Sequence, residues 1–246
     1  MTTAEIKEMA TKYIMNTYGD RKLALVRGEG PYVWDAEGKK HLDFLSGIAV
    51  NGLGHCHPKV VEAIKKQAEK LMHVSNLYYI EPQAKLAKLM IDNGELDQCF
   101  FCNSGAEANE AAIKIARKYA ADNGKSNAYE IITMDNSFHG RTMATITATG
   151  QTKYHKGFEP MLPGFSYVPF DDLGAVTQAI TSQTCAILVE PIQSEGGVNV
   201  PSEGYLEGLR EICDQHNLLL IFDEVQTSPG RLGTFFGYQT YGIVPD

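Results

Sequence analysis

The stretch from Leu218 to Gln226 reads Leu-Leu-Leu-Ile-Phe-Asp-Glu-Val-Gln. Five consecutive apolar residues are typical of a strand that is buried on both faces of a parallel sheet, and they end at an acid pair, Asp223 and Glu224. Ligands bind at the carboxyl ends of the strands in an open α/β sheet. The stretch therefore predicts such a sheet and makes Asp223 a candidate ligand-binding residue, provided that other strands end at the same edge.

The composition favours a folded protein that acts on small molecules. The chain has 246 residues, 43% of them hydrophobic, which is enough to bury a sizeable core. Its 30 acidic and 22 basic residues give a formal charge of -8 without a basic run, which argues against a nucleic-acid or anionic-membrane partner. Neither a membrane-spanning stretch nor a signal peptide is recognisable, so we expect a cytoplasmic location.

The five cysteines do not predict a disulfide framework or a metal site. Their number is odd and they lie in apolar or helical contexts. Cys99 and Cys102 form a C-x-x-C pair, but no second pair follows, so two thiols near a strand end are favoured over a zinc or redox role. The run from His55 to His57 lacks the spacing of metal ligands, and we interpret it as a loop before Pro58.

The chain is predicted to form a small N-terminal part and a large α/β domain. Residues 1–57 show a helical pattern and then short runs broken by glycine and proline, which predicts a helix followed by an antiparallel meander. Residues 58–246 begin with helical patterns and then alternate between strands and helices, which predicts a mainly parallel sheet with helices on both faces. The predicted strands are Cys99–Cys102, Glu130–Met134, Cys185–Val189 and Leu218–Phe222.

The first two predicted strands are followed by motifs that suit a ligand. Ser104 and Glu107 form a capping-box pattern, and Gly105 between them would let a phosphate approach a helix N-terminus. Taken alone, this motif favours a capped helix without a ligand. The second strand leads to Phe138 and Arg141, which offer a flat stacking face and a carboxylate clamp, although a buried Phe and a solvated Arg are the simpler alternative.

Two further strand ends add acids to the same predicted edge. Glu190 begins a glycine-containing loop after the third strand, and Asp223 and Gln226 follow the fourth. The glycine-rich patterns of dinucleotide and nucleotide-triphosphate sites are absent. Pyridoxal phosphate suits this set better, because it has one phosphate, a flat ring, and a ring nitrogen that a carboxylate keeps protonated.

The sequence resembles the class III (fold type I) pyridoxal-phosphate-dependent aminotransferases in four successive motifs: Asn103–Asn109, Ser137–Thr142, Glu190–Gln193 and Phe222–Thr227. It is similar to the acetylornithine branch of that family in four more: Gly47–Asn51, Gly54–Pro58, Ser75–Tyr78 and Tyr154–Phe158. The likeness extends over nearly the whole chain. It implies a fold type I transferase, pyridoxal 5'-phosphate as the cofactor, and a homodimer.

The resemblance also implies roles for the cofactor-binding residues. Ser104, Gly105 and Ala106 would hold the cofactor phosphate. Phe138 would stack on the pyridine ring, and Glu190 would lie close to the cofactor. Asp223 would pair with the ring nitrogen as a catalytic residue, and Gln226 would reach the ring hydroxyl.

Two residues would serve the substrates. Arg141 would bind the substrate's α-carboxylate. Glu195 matches a glutamate that pairs with an arginine of the C-terminal part of the family and helps one site accept two substrates in turn. The Schiff-base lysine and the C-terminal domain are expected beyond Asp246, so residues 1–246 alone are expected to be inactive.

The resemblance implies an aminotransferase of arginine biosynthesis that transfers the δ-amino group of N-acetylornithine to 2-oxoglutarate. Ornithine, succinylornithine and 4-aminobutyrate aminotransferases are the alternatives. The stretch around Gly47 and Ile48 lacks the tyrosine that ornithine enzymes carry there, which favours an acetylated donor. A hypothesis of another class is a truncated, non-catalytic module that binds a cofactor or a partner.

Overall fold

The computed structural model describes residues 1–246, which form two compact units, Met1–Tyr79 and Ile80–Asp246. The helix that begins at Pro58 belongs to the first unit, whereas we expected the large domain to begin at residue 58. A domain boundary after residue 57 therefore stays a prediction. None of the helices is long and apolar enough to cross a membrane.

The first unit contains the expected N-terminal helix and antiparallel meander. The capping box of Thr2 and Glu5 begins the first helix. Strand β2 pairs with both β1 and β3, in antiparallel register. The elements of this unit are α1 (Thr3–Tyr13), β1 (Leu25–Glu29), β2 (Tyr32–Asp35), β3 (Lys40–Leu42), a single turn α2 (Ser46–Ala49), α3 (Pro58–Lys70) and a 3-10 turn (Ser75–Leu77).

Two histidine–aspartate pairs stabilise the meander and the loop after it. The Nε2 atom of His41 lies 2.8 Å from Asp35 Oδ2, and the Nε2 atom of His55 lies 2.7 Å from Asp43 Oδ2. These hydrogen bonds are the largest cause that lowers the pKa of Asp35 and of Asp43. His55 therefore serves as a partner of Asp43, and no cluster of three metal-ligating side chains is present in the chain.

The second unit alternates helices with the strands of one parallel sheet. Its strands are β4 (Glu130–Met134), β5 (Phe165–Val168), β6 (Thr184–Val189) and β7 (Leu219–Phe222), in the spatial order β5-β4-β6-β7. Its helices are α4 (Glu81–Ile91), α5 (Gly105–Asp122), α6 (Met143–Ala148), α7 (Thr152–His155), α8 (Leu173–Ala179), α9 (Tyr205–His216) and α10 (Tyr238–Tyr241).

Each face of the sheet carries its own hydrophobic core. Alternate residues of a strand point to opposite faces, so Ile131 and Ile132 of β4 belong to different cores. On one face the strands pack on α8 and α9, for example through Leu209. On the other face they pack on α5 and α6, where Ala116 and Ala148 let the helices approach closely. The predicted helix-covered parallel sheet is confirmed.

One predicted strand is absent, and one observed strand was not predicted. Cys99–Cys102 is not a strand, and it pairs with none of the four strands of the sheet. Phe165–Val168 is a strand, β5, that we did not predict. In addition, β7 is an edge strand: Leu220 is buried, but Leu219 and the last two residues of the strand are only half-buried, whereas we expected burial on both faces.

Leu220 is the β7 residue on which the core depends most. It is 0% exposed and packs in the core that α8 and α9 cover. Replacing it with alanine should lower the free energy of unfolding by about 2–5 kcal/mol, because the lost methyl groups leave a cavity. Urea denaturation of the complete protein measures this change. The matched substitution Val200→Ala, at a side chain that is 64% exposed, should change it by less than about 0.5 kcal/mol.

Candidate functional site

Two acids lie side by side at the carboxyl edge of the sheet. Strands β6 and β7 are parallel, and Val189 pairs with Phe222, so the next residues, Glu190 and Asp223, occupy equivalent positions. Both side chains are buried, although they follow apolar strands. Buried carboxyl groups are costly unless they find partners, so their hydrogen bonds decide what this edge can do.

Asp223 accepts hydrogen bonds from three groups. Its Oδ2 atom lies 2.8 Å from the side-chain amide of Asn109 and 2.9 Å from Nδ1 of His139, and its Oδ1 atom accepts from the backbone N–H of Val225 at 3.1 Å. Asn109 also donates to the His139 carbonyl, at 2.8 Å. His139 is buried, and its Nε2 atom has no hydrogen-bond partner. The carboxylate is therefore held rigidly by side chains of α5 and of the loop after β4.

Asn109 and His139 were not among the predicted site residues. In the sequence, His139 stands out only as part of the loop after the second predicted strand, and Asn109 only as the last residue of the Asn103–Asn109 motif. One signal was available for Asn109, because it follows Gly105 by four residues and so lies on the same helix face. The contact of His139 with Asp223 has no comparable local signal.

Glu190 has fewer partners than its neighbour. Its Oε2 atom accepts a hydrogen bond from the backbone N–H of Phe138 at 3.0 Å. Burial raises the pKa of Glu190 to about 7, an effect that the charge of Asp223 increases and that His139 and the Phe138 N–H oppose. The site therefore contains a carboxyl group that gains and loses its proton near neutral pH.

The N-terminus of α5 offers unpaired backbone N–H groups. Ser104 Oγ accepts from the Glu107 N–H at 3.1 Å, but Glu107 itself bonds the Asn103 N–H at 2.7 Å, so only half of the predicted capping box forms. The N–H groups of Gly105 and Ala106 have no acceptor within the chain. These two groups, at the positive end of an 18-residue helix, can bind an anion.

Close backbone packing brings this helix end to the sheet edge. A Cβ atom on Gly105 would lie 2.8 Å from a Val225 methyl group, so the loop after β7 packs directly on the helix N-terminus. A Cβ atom on Gly140 would lie 2.7 Å from that of Ala106. The loop after β4, the loop after β7 and the N-terminus of α5 therefore converge at one place.

The remaining predicted residues lie around this centre. Phe138 is half-buried, and its ring centroid lies 5.5 Å from that of Tyr154, edge to face. Arg141 is exposed, with its guanidinium 4.9 Å from the centre of the same tyrosine ring. Gln226 is half-buried beyond β7, and Glu195 is exposed on the loop after β6. The structure thus gathers Gly105, Ala106, Phe138, Glu190 and Asp223, and leaves Glu195 at the periphery.

Comparison with known families decides the identity of the chain. Residues 13–246 match the family described as aminotransferase class-III. This chain is a class III aminotransferase by family. Enzymes of this family use pyridoxal phosphate as their cofactor.

Individual relatives agree with the family assignment. The chain is 56% identical, over 235 residues, to the acetylornithine aminotransferase of Caldanaerobacter subterraneus subsp. tengcongensis, covering 96% of this chain and 60% of that protein. It superposes on the ornithine aminotransferase of Toxoplasma gondii with a TM-score of 0.94 at 34% identity, covering 100% of this chain and 59% of that one. For the N-acetylornithine aminotransferase of Stenotrophomonas maltophilia the TM-score is 0.82 at 38% identity, with 97% and 59% covered. The chain thus spans about 60% of the length of the curated relatives it matches.

The chemistry of this edge fits the family's cofactor. The α5 N-terminus has two unpaired N–H groups for a phosphate, and the Gly105 backbone leaves no room for a side chain there. Asp223 Oδ1 accepts a single backbone hydrogen bond and so keeps capacity for a further donor, such as a protonated ring nitrogen. Phe138 supplies an aromatic face. The chain therefore offers a partner for the phosphate, for the ring nitrogen and for one face of the ring of pyridoxal phosphate.

The raised pKa of Glu190 predicts a pH-dependent stability. An acid whose pKa rises from 4.5 in the unfolded chain to about 7 in the folded one destabilises the fold when it ionises. At about 1.4 kcal/mol for each pH unit, the contribution of Glu190 to the free energy of unfolding should fall by about 3 kcal/mol between pH 4.5 and 7, and then stay level.

The substitution Glu190→Gln should remove this contribution, because a neutral amide still accepts the Phe138 hydrogen bond. The variant should be more stable than the unsubstituted, cofactor-free protein at pH 8 and similar to it at pH 5, as measured by urea denaturation. Glu203→Gln, at an exposed position, is the control and should leave the pH profile unchanged. Equal effects of Glu190→Gln at both pH values would contradict the assignment.

Proposed function

We propose that the complete protein is an aminotransferase that transfers the δ-amino group of N-acetylornithine to 2-oxoglutarate, a step of arginine biosynthesis. The observation that carries the proposal is the buried Asp223 carboxylate, held by Asn109 and His139 beside the unpaired N-terminus of α5. The 56% identity to an acetylornithine aminotransferase supports the choice of donor.

The cofactor would be held by residues from the start of α5 and from the loops after two strands. Ser104, Gly105 and Ala106 would bind its phosphate at the start of α5, where Ser104 caps the helix and the next two residues donate backbone N–H groups. Phe138 would cover one face of the ring. Gln226 would bond the ring hydroxyl from the loop after β7.

Asp223 would be the catalytic carboxylate that pairs with the ring nitrogen. Bound pyridoxal phosphate supplies an electron sink for the pair of electrons left when the substrate's amino-bearing carbon loses its proton. Asp223 keeps the proton on the ring nitrogen, and its three hydrogen bonds fix the carboxylate before the reaction begins. Glu190, beside it, accepts the Phe138 N–H and so orients the residue that covers the ring.

The substrates would be held by charged groups at the rim. Arg141 is exposed, and its guanidinium would form a bidentate pair with the carboxylate that lies remote from the reacting carbon: the α-carboxylate of N-acetylornithine and the C5 carboxylate of 2-oxoglutarate. Glu195, on the exposed loop after β6, would pair with an arginine from another part of the complete protein. The catalytic lysine would also come from outside residues 1–246, so we propose that these residues alone do not catalyse transamination.

We also propose that the complete protein is a cytoplasmic homodimer. The support for a dimer is the apolar surface that residues 1–246 leave uncovered: Phe44 is 93% exposed and Tyr79 fully so. Monomeric proteins rarely expose such side chains in clusters, and Leu45 and Leu53 lie near Phe44 in the sequence. Sedimentation velocity of the complete protein distinguishes a dimer from a monomer.

A comparison of amino donors tests the proposed substrate. The complete protein is assayed with N-acetylornithine, succinylornithine, ornithine and 4-aminobutyrate, each with 2-oxoglutarate as the acceptor. N-acetylornithine should give the highest kcat/KM. A higher kcat/KM with ornithine or with 4-aminobutyrate would replace the proposed donor while leaving the reaction class intact.

Replacing Asp223 tests the assignment of the carboxylate. In the complete protein, Asp223→Ala should lower kcat by about 10²- to 10³-fold, because it removes a fixed charge at the place where electron density accumulates. It should also weaken the binding of pyridoxamine phosphate, measured by equilibrium dialysis. Asp214→Ala, on the exposed side of α9, is the matched control and should change neither value. Near-normal turnover of Asp223→Ala would refute the role.

A further inference from the structure

One aromatic side chain contacts two residues that serve different parts of the proposed reaction. The ring of Tyr154 meets the Phe138 ring at a centroid distance of 5.5 Å and an interplanar angle of 69°. The same ring lies 4.9 Å from the guanidinium carbon of Arg141. Phe138 is assigned to the cofactor ring and Arg141 to the substrate carboxylate, so Tyr154 lies where the two binding functions meet.

Tyr154 is itself held in a well-defined segment. Its backbone N–H donates to the Gln151 carbonyl at 3.0 Å, and the Gln151 side chain donates to the Ser137 carbonyl at 2.9 Å. Gly150 donates to Ser137 Oγ at 2.9 Å, and no side chain would fit at this glycine, because a Cβ would lie 2.2 Å from the Met134 carbonyl. The segment that carries Tyr154 is thus bonded directly to the loop that carries Phe138 and Arg141.

On the other side of Tyr154, the next residue is anchored as well. The ring of His155 makes a 2.8 Å hydrogen bond with the Thr149 carbonyl through Nε2 and packs against Tyr167 at a centroid distance of 6.1 Å. Helix α7 therefore has fixed contacts before and after Tyr154. A half-buried ring that is anchored in this way can fix the positions of the side chains that contact it.

We propose that Tyr154 is a positioning residue that orients the Arg141 guanidinium and the Phe138 ring together, and so couples substrate binding to cofactor binding. The proposal rests on the function proposed above, because it takes from it the roles of those two residues.

The physical basis is the charge distribution of the aromatic ring of Tyr154. A cation over an aromatic face is attracted by the ring's quadrupole, which holds an otherwise exposed arginine in one place and leaves its N–H groups free for a carboxylate. The edge-to-face contact restricts the tilt of Phe138 in the same way. Both effects come from the ring and not from the phenol hydroxyl.

Two substitutions in the complete protein separate positioning from simple filling of space. Tyr154→Phe keeps the ring and should behave like the unsubstituted enzyme. Tyr154→Leu removes the ring and should raise KM about tenfold for the amino donor and for 2-oxoglutarate alike, since one arginine would bind the remote carboxylate of both, the α-carboxylate of the donor and the C5 carboxylate of 2-oxoglutarate. The value of kcat should change much less. Tyr154→Met serves as a second ring-free variant if Tyr154→Leu does not fold.

Cofactor binding gives a readout that does not depend on activity. Pyridoxamine phosphate has an amine instead of the aldehyde, so it binds without a covalent bond, and equilibrium dialysis gives its dissociation constant with the cofactor-free protein. Tyr154→Leu should raise this constant severalfold, and Tyr154→Phe should leave it unchanged. Tyr129→Leu is the matched control, because the Tyr129 ring also lies near an arginine: the Arg117 guanidinium is 5.8 Å from its centre, at the opposite end of β4. Loss of the Tyr129 ring should change neither the KM values nor cofactor binding.

The outcomes are distinguishable. Unchanged KM values and cofactor affinity in a folded Tyr154→Leu variant would overturn the proposal, and so would a Tyr154→Phe variant as impaired as Tyr154→Leu. An Arg141→Gln variant that retains normal KM values for both substrates would instead overturn the proposed role of Arg141. A large effect of Arg141→Gln with none for Tyr154→Leu would leave the proposed function intact and remove only the positioning role.

Discussion

The site depends on the burial of one carboxylate. A carboxylate withdrawn from water is costly unless hydrogen bonds compensate for its lost hydration, and Asp223 finds three donors. These donors lie on α5, on the loop after β4 and just after β7. The hydrogen bonds to a single carboxylate therefore hold three separate segments together. Gly105 and Gly140 are then required, because the segments approach more closely than a side chain would allow.

The same arrangement makes the two neighbouring acids unequal. Asp223 accepts hydrogen bonds from the side chains of Asn109 and His139, whereas the Glu190 side chain accepts one from the Phe138 backbone N–H at 3.0 Å. Burial disfavours the charged form of Glu190, and the neighbouring charge of Asp223 adds to this effect. The pKa of Glu190 is accordingly raised to about 7. One edge of the sheet thus offers both a firmly paired acid and one that exchanges protons.

The fold alone does not identify the substrate. Solved structures that superpose on this chain include an ornithine aminotransferase, an N-acetylornithine aminotransferase and an enantioselective omega-transaminase from Thermomicrobium roseum. One fold can serve different donors, because substrate choice depends on the residues of a site and not on the fold itself. In this chain the exposed Arg141, with its contact to Tyr154, lies beside the sheet edge.

The sequence by itself determined much of the site. Apolar runs that end in Glu190 and Asp223, and the motif that begins α5, are local patterns, and local patterns are what a single sequence reveals. The tertiary structure decided which strands pair and which residues hold the acid. Cys99–Cys102 has strand-like residues but no neighbour, and Phe165–Val168 is a strand because β4 lies beside it. His139 and Asn109 are 84 and 114 residues away from Asp223 in the sequence. A hydrogen bond over such a separation produces no periodic pattern in the sequence, so it could not be predicted.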